Sequence, residues 1–152
     1  MSRVTIAGSR ALPTGLAPQV LGVFLASLAP GSTVLLRRGH GKVGDFELQV
    51  ADLAEAIGML EVEWREPDTR IPGRRSVWYR DCDMLASSEL CLAFVTNDQL
   101  GDDESGTWAL IDKAMGMDVP VYGYIVAQDK QGPTLILAGE HDPENLWSER
   151  VP

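Results

Sequence analysis

The feature that most constrains the fold is a regular alternation of short apolar segments with segments whose apolar residues recur at helical spacing. The apolar segments predict six strands, at Arg3–Ala7, Thr33–Arg37, Glu61–Arg65, Glu89–Val95, Val119–Val126 and Thr134–Leu137. Strand–helix–strand connections place strands parallel, with helices on both faces. We therefore expect an α/β fold: a doubly wound sheet of about five parallel strands, with the last strand added antiparallel at one edge.

Helical periodicity is clearest after the first two strands. Residues at the spacing i, i+3, i+4 and i+7 predict a first helix whose inward face is formed by Leu21, Phe24, Leu25 and Leu28. A second helix, ending at Gly58, has an inward face formed by Phe46, Val50, Leu53, Ala54 and Ile57. A third helix is expected from near Arg74 to about Ser87, and a fourth opens with Ser105-Gly106-Thr107.

No repeat, low-complexity segment or linker divides the chain. Its 152 residues are the size of one α/β domain and can bury a core of their own. We expect residues 1–127 to form that domain and residues 128–152 to be a C-terminal extension packed on it.

The charge of the chain argues against nucleic acid as a partner. The net charge is −9, so a phosphate backbone would be repelled at long range. Ten of the 13 basic residues nevertheless lie within residues 1–80, with Arg37, Arg38 and Lys42 close together. Such a cluster suits a small anionic ligand, and it equally suits a solvated surface. Charge alone does not separate these two interpretations.

Cysteine usage and hydropathy favour a cytoplasmic location. Cys82 and Cys91 match no metal-ligand spacing and cannot form a disulfide framework, so we interpret them as buried free thiols. No apolar run reaches the ~18–20 residues that span a bilayer, and the N-terminus resembles a strand rather than a secretory signal. We expect no membrane partner, no metal and no cofactor.

Ligands of doubly wound sheets bind at the carboxyl ends of the strands, and four segments of this chain fall there. Gly8-Ser9-Arg10 follows the first strand, where it is either a phosphate-binding turn or a plain β-turn. The glycine-rich loop that follows the second strand contains Gly39, Gly41 and Gly44 and precedes Asp45. Its backbone N–H groups and the next helix N-terminus suit an anion. Asp45 is either the helix N-cap or a carboxylate that faces a ribose hydroxyl.

The other two segments belong to the third and fourth helices. Arg80 and Met84 share one helical face; Arg80 can bind a phosphate or form a salt bridge with Asp81 or Asp83. Ser105-Gly106-Thr107 opens the fourth helix either as an anion cradle or as a simple cap. All four segments fall at the same edge of a parallel sheet, which favours a shared site.

The order of these motifs resembles the SLOG superfamily, and within it the YspA/YpsA-related branch. The resemblance runs from roughly Val4 to Val126 and implies a Rossmann-like fold that binds nucleotides or nucleotide-derived ligands. The superfamily also contains the Lonely guy (LOG) phosphoribohydrolases and the DNA-processing protein DprA. The resemblance implies that Arg80 corresponds to the arginine of the LOG Arg-x-x-x-Met segment. It also implies that Gly106 and Thr107 correspond to the Gly-Thr of the LOG phosphate-binding loop.

Two departures from the LOG pattern bear on catalysis. Asp102 to Ser105 replace the Pro-Gly-Gly of that loop, and Ala109 stands where LOG enzymes carry a catalytic glutamate. A LOG-type hydrolase needs that carboxylate to stabilise an oxocarbenium-like state or to activate water. Arg80 and Asp45 are then the catalytic candidates, and an acid between Asp102 and Glu104 is a substitute.

We therefore expect the chain to bind a phosphorylated nucleotide or nucleotide-derived ligand, for sensing, sequestration or processing. The site residues are Gly8, Ser9, Arg10, Gly39, Gly41, Gly44, Asp45, Arg80, Ser105, Gly106 and Thr107. The alternatives are an N-glycosidase or phosphoribohydrolase acting on nucleoside monophosphates, and a protein-interaction module with an empty cleft. The resemblance, together with Trp78 and Trp108 on predicted helices, favours a homodimer. For an exposed, ligand-binding Arg80, an alanine substitution should weaken nucleotide binding and leave stability unchanged.

Overall fold

The computed structural model describes residues 2–9, 12, 16–38, 44–96, 106–129 and 132–141. Within these ranges the strands are β1 (Arg3–Gly8), β2 (Thr33–Arg37), β3 (Glu61–Arg65), β4 (Leu90–Val95), β5 (Val121–Asp129) and β6 (Gly132–His141). The helices are α1 (Leu16–Ser27), α2 (Asp45–Ile57), α3 (Arg74–Ala86) and α4 (Gly106–Gly116). Each of the ten elements was expected from the sequence pattern, and β2 and β3 have the predicted bounds.

The strands form one sheet in the order β3-β2-β1-β4-β5-β6. The first five are parallel, and β6 runs antiparallel to β5. The chain builds outward from β1 to β3 and then returns to place β4 on the other side of β1. This is a Rossmann-like α/β fold with its topological switch point between β1 and β4, and the predicted fold class is confirmed.

The core consists of two layers, one on each face of the sheet. Successive side chains of a strand point to opposite faces, so Ile6 of β1 packs toward α1 and α2, while Ala7 belongs to the layer beneath α3 and α4. The same alternation divides Leu92 from Ala93 in β4. Because β4 is covered on both sides, all six of its residues are buried, as its continuous apolar run predicts.

Helix α2 illustrates how the local sequence sets the bounds of an element. Phe46, Val50 and Ala54 are buried on its inward face. The helix ends at Gly58, which has a φ of 77° and donates its N–H to the Ala54 carbonyl. This left-handed conformation is accessible to glycine without steric cost, so the predicted helix end is confirmed.

The carboxyl-terminal part of the sheet is longer than the sequence pattern indicates. Strand β5 begins at Val121 rather than at Val119, because the N–H of Val119 donates to the Ala114 carbonyl at the end of α4. Strand β6 pairs with β5 over its whole length, with a register shift at Gly123/Tyr124. The proposed boundary between residues 127 and 128 therefore lies inside β5. None of the helices in the described ranges is both long enough and apolar enough to cross a lipid bilayer.

Candidate functional site at the carboxyl edge of the sheet

The site begins where β1 and β2 separate. Strand β1 stays in register with β4 as far as the pair Gly8–Phe94, but its last registered pair with β2 is Thr5–Leu35. The backbone N–H and carbonyl of Gly8 therefore need partners other than β2, since buried backbone polar groups are almost always hydrogen-bonded. Side chains supply both partners.

Arg37 and Glu47 fill the space beside Gly8. Oε1 of Glu47 accepts a hydrogen bond from the Gly8 N–H at 3.2 Å. Nη2 of Arg37 donates to the Gly8 carbonyl at 3.2 Å, to Glu47 Oε1 at 3.3 Å and to Thr107 Oγ1 at 2.8 Å. We call Gly8, Arg37, Glu47 and Thr107 the Arg37 cluster. It joins the ends of β1 and β2 to the first turns of α2 and α4.

The Arg37 cluster is buried and internally neutralised. The side chains of Arg37 and Glu47 are 13% and 5% exposed. Glu47 lies in the first turn of α2, whose N-cap is Gly44, so the helix dipole further stabilises its carboxylate. Removing two charges from water is costly unless they are paired and hydrogen-bonded, and this cluster provides both conditions.

Helix α4 begins beside the guanidinium of Arg37. Its first residue, Gly106, is exposed, and a Cβ placed on Gly106 would lie 3.7 Å from Nη1 of Arg37. Thr107, the second residue, is buried and hydrogen-bonded to Nη2. A helix N-terminus, a hydroxyl and a guanidinium thus lie together at the switch-point side of the sheet, which is an arrangement suited to an anion.

The structure brings some of the predicted site residues together here. Gly8 and Thr107 belong to the Arg37 cluster, and Gly44 begins α2 next to Glu47. Ser9 is buried and donates its backbone N–H to the Phe94 carbonyl at 3.0 Å. The remaining predicted residues of these loops lie outside the described ranges: Arg10, Gly39, Gly41 and Ser105.

Asp45 has a different position from the one expected for a cap. The N-cap of α2 is Gly44, whose carbonyl accepts the Leu48 N–H at 3.0 Å. Asp45 is the first helical residue, and it is exposed. The capping interpretation of Asp45 is therefore wrong: its carboxylate complements the helix dipole from the first turn.

Arg80 forms a buried ion pair rather than part of an open surface. Its side chain is 8% exposed and that of Asp81 is 2% exposed, with Nη2 2.9 Å from Asp81 Oδ1. Nη1 donates to the Arg38 carbonyl at 3.2 Å. Of the two interpretations of Arg80, the salt bridge is the one present. The expectation that Arg80 lies on an exposed surface is wrong, because its side chain is 8% exposed.

Arg80 also lines a cleft of about 320 Å³, together with three carboxylates. The other lining residues are Glu66, Asp68, Ile71, Ser76, Tyr79 and Asp83. Two of the three carboxylates are themselves ion-paired, Glu66 with Arg38 and Asp68 with Arg70.

Sequence reasoning missed the two central residues of the cluster. Arg37 was grouped with the neighbouring basic residues, and Glu47 carried no prediction. A signal for Glu47 was present, because an acid at the third helical position after an N-cap is a known helix-start pattern. Its pairing with Arg37 depends on the packing of α2 against β1 and β2, which no local pattern reports.

Neither cysteine is suited to act as a nucleophile, because the thiolate is the reactive form and both thiols hold their protons more strongly than usual. Burial raises the pKa of the Cys91 thiol to about 12, and burial likewise raises the pKa of the half-buried Cys82. Both thiols are free, as expected. In the part of the chain that the structure describes, no three His, Cys, Asp or Glu side chains come together as metal ligands.

Comparisons of the chain with known protein families, with curated proteins and with solved structures found no match. The fold class of the chain therefore comes from its own strand topology, which is Rossmann-like. The Arg37 cluster lies at the carboxyl edge of that sheet.

Proposed function

We propose that this chain binds a small phosphorylated ligand of the nucleotide type at the carboxyl edge of the sheet, for sensing, sequestration or processing in the cytoplasm. The observation that carries the proposal is the three-way hydrogen bonding of Arg37 Nη2, which holds the N-terminus of α4 against the ends of β1 and β2. Open α/β sheets bind their ligands at this place, and the resemblance to the SLOG superfamily supports the same assignment.

The charge balance of the cluster favours a small anion over a polyanion. Glu47 compensates the charge of Arg37, so the remaining attraction comes from the α4 N-terminus and from hydrogen-bond donors close to it. These interactions act over a few ångströms. The net charge of −9 repels a long phosphate backbone from a distance.

A thermal-shift screen tests this proposal. The panel contains nucleoside mono- and diphosphates, cyclic nucleotides and NAD-derived nucleotides, each paired with the corresponding nucleoside as a matched control. A ligand at ~100 times its Kd adds about 2.7 kcal/mol of stability, which is several degrees in Tm for a domain of this size. We expect a phosphorylated member to raise Tm and its nucleoside to do so far less. A panel without any shift overturns the proposal.

Glu47 supports a second candidate function, an N-glycosidase or phosphoribohydrolase acting on nucleoside monophosphates. In the described ranges the buried carboxylates are Glu47 and Asp81, and Glu47 lies in the cluster. A carboxylate there can stabilise the positive charge that develops on the sugar as the N-glycosidic bond breaks. Glu47 would then supply the negative charge that LOG enzymes obtain from the glutamate at the position of Ala109.

Chromatography of the incubated mixtures separates the two candidates. Turnover releases free base and sugar phosphate, with water as the co-reactant, whereas a pure binder returns the nucleotide intact. If base accumulates, Glu47→Gln should abolish its release, because the amide keeps the side-chain shape and removes the charge. Base release that persists at the wild-type rate in Glu47→Gln rules out this role for Glu47.

Self-association is the remaining part of the proposal. Trp78 on α3 is 52% exposed and packs edge-to-face on Tyr79, with ring centroids 5.3 Å apart. Tyr and Trp are enriched at protein–protein interfaces relative to the rest of the surface, and we propose that a second copy of the chain covers this pair. Light scattering should give a dimer mass, and Trp78→Lys should give a monomer mass; a monomer at high wild-type concentration overturns the claim.

A further inference from the structure

Helix α3 carries its exposed charges in the order that its own dipole disfavours. Arg74 and Arg75 occupy the first turn, which contains no acidic residue, and both are exposed. The exposed Asp83 lies in the last turn, where its carbonyl accepts the Ser87 N–H. A helix dipole favours acids near the N-terminus and bases near the C-terminus. These three charges therefore weaken α3 in a single copy of the chain.

Arg75, Tyr79 and Asp83 form a row along one face of α3, which we call the Arg75 row. The residues are spaced four apart and so follow one another on that face, and Tyr79 is 42% exposed. Each charged residue lies about 6 Å along the helix axis from the tyrosine. The ion pairs among the described residues include neither Arg75 nor Asp83. The row is thus symmetric in length about Tyr79 and opposite in charge at its two ends.

A second copy of the chain complements the Arg75 row. When two α3 helices pack antiparallel about a two-fold axis at Tyr79, each Arg75 lies opposite an Asp83 of the other copy. Two-fold symmetry makes the two contacts identical, and rows of residues four apart pack together at a crossing angle of about 50°. Each arginine then also lies beside the C-terminal half of the facing helix, where the dipole favours a cation. Charges that are unfavourable for one α3 are favourable for the pair.

We infer that α3 is the homodimer interface, with two antiparallel α3 helices that exchange Arg75–Asp83 ion pairs on either side of Tyr79. This pairing rests on the self-association proposed above and deepens it, because it names the surface of the second copy that covers Trp78 and Tyr79, and its register. The aromatic pair lies at the centre and the charged residues lie toward the ends, as in interfaces with an apolar core and a polar rim.

Charge reversal tests the ion pairs through the Kd of the dimer, measured by analytical ultracentrifugation of a dilution series. Arg75→Glu and Asp83→Arg should each weaken the dimer about tenfold or more, because symmetry repeats each like-charge contact twice. The combined variant Arg75→Glu/Asp83→Arg should recover most of the affinity, since the ion pairs form again with reversed polarity. Arg74→Glu is the matched control: it makes the same charge change in the same turn but off the row, and should affect Kd far less.

Loss of folding would not imitate this result. An acid suits the first turn of a helix better than a base does, so Arg75→Glu should unfold at a temperature no lower than the wild type when both are compared as dilute monomers. A dimer that weakens while the monomer keeps its stability locates the effect at the interface.

Disulfide trapping tests the register. Cys82→Ser removes the half-buried thiol, and Cys91 stays buried. In that background Tyr79→Cys should form an intermolecular disulfide, because its two copies meet at the axis. Asp83→Cys should form far less, because its two copies lie about 12 Å apart along the helices, which a disulfide cannot span.

Failure of the pairing is distinguishable from failure of the proposed function. If the wild-type chain is a monomer at high concentration, self-association is wrong and the α3 pairing falls with it, whereas nucleotide binding is judged by the thermal-shift screen. If the wild type dimerises but the combined charge variant stays as weak as the single variants, the α3 pairing alone is overturned. The same holds if Asp83→Cys crosslinks as readily as Tyr79→Cys, or if the single charge variants keep the wild-type Kd.

Discussion

The guanidinium of Arg37 and the carboxylate of Glu47 form a buried ion pair, with Nη2 3.3 Å from Oε1. Arg37 is the last residue of β2 and Glu47 lies in the first turn of α2. The two charged groups take over the carbonyl and the N–H of Gly8 at the point where β1 has lost its registered pairing with β2. One ion pair thus closes the split in the sheet and places the α4 N-terminus beside it.

Removing the carboxylate of Glu47 should destabilise the fold strongly. Glu47→Ala leaves Arg37 buried without its counter-charge, and breaking one side of a buried ion pair costs about 3–5 kcal/mol. Chemical denaturation measures the free energy of unfolding. Glu55→Ala, at an exposed position of the same helix, is the control and should change stability by no more than about 0.5 kcal/mol. Equal effects of the two substitutions would show that the pair does not stabilise the chain.

A methyl group on Gly8 should also destabilise the fold. A Cβ at this position would overlap the ring of Phe46 and would lie 3.0 Å from Leu12 Cδ1. Overpacking of this kind costs about 1–3 kcal/mol, and Phe46→Leu should recover part of the loss from Gly8→Ala. Gly22→Ala in α1 meets no atom within 4 Å and should instead stabilise the helix by about 0.5–1 kcal/mol. If Gly8→Ala and Gly22→Ala changed the melting temperature in the same direction, this explanation would be wrong.

Arg80 should stabilise the fold through its buried ion pair with Asp81. Among the described residues, Arg80→Ala leaves the buried Asp81 with Lys113 as its ion-pair partner, whose Nζ is 3.9 Å from Asp81 Oδ2. We expect a loss of about 3 kcal/mol in the free energy of unfolding, at the lower end for a broken buried pair. Arg70→Ala removes an arginine whose side chain is 88% exposed and should leave stability nearly unchanged, because exposed ion pairs contribute little. A neutral Arg80→Ala variant would show that the ion pair is dispensable.

Cys91 should make stability fall at alkaline pH. Burial raises the pKa of its thiol from 9.0 to about 12. Between these pH values the unfolded chain loses a proton that the folded chain retains, so the contribution of Cys91 is complete below pH 9.0 and declines above it. The slope is about 1.4 kcal/mol per pH unit. Denaturation of wild type and Cys91→Ala across this range should give a shallower decline for the variant; identical slopes would contradict the burial of the thiol.

The elements of the fold follow from local spacing. Four apolar residues predict the inward face of α1, and all four are buried: Leu21, Phe24 and Leu25 within the helix and Leu28 directly after its last residue. The strand Glu61–Arg65 was predicted from its alternation and has those bounds. Such patterns are local because each element must turn its apolar side toward the sheet or the helices that cover it.

The candidate site was only partly predictable. The positions of Gly8 and Thr107 followed from a general rule, that the residues after parallel strands meet at one edge. The burial of Arg80 did not follow, because an arginine beside two aspartates on a helix is equally compatible with an exposed face and with a buried pair. The choice depends on how closely α3 packs toward α4 and the Arg38 carbonyl.

The sequence by itself determined which segments become strands and helices, the parallel arrangement of the first five strands and the edge at which the four motif segments fall, because those properties depend on periodicity and on connection rules. Only the tertiary structure decided that Arg37 pairs with Glu47 and donates to Thr107. The three residues come from three different elements. Their contact exists because β1 and β2 separate after Thr5–Leu35 and leave two backbone groups of Gly8 for buried charges to satisfy.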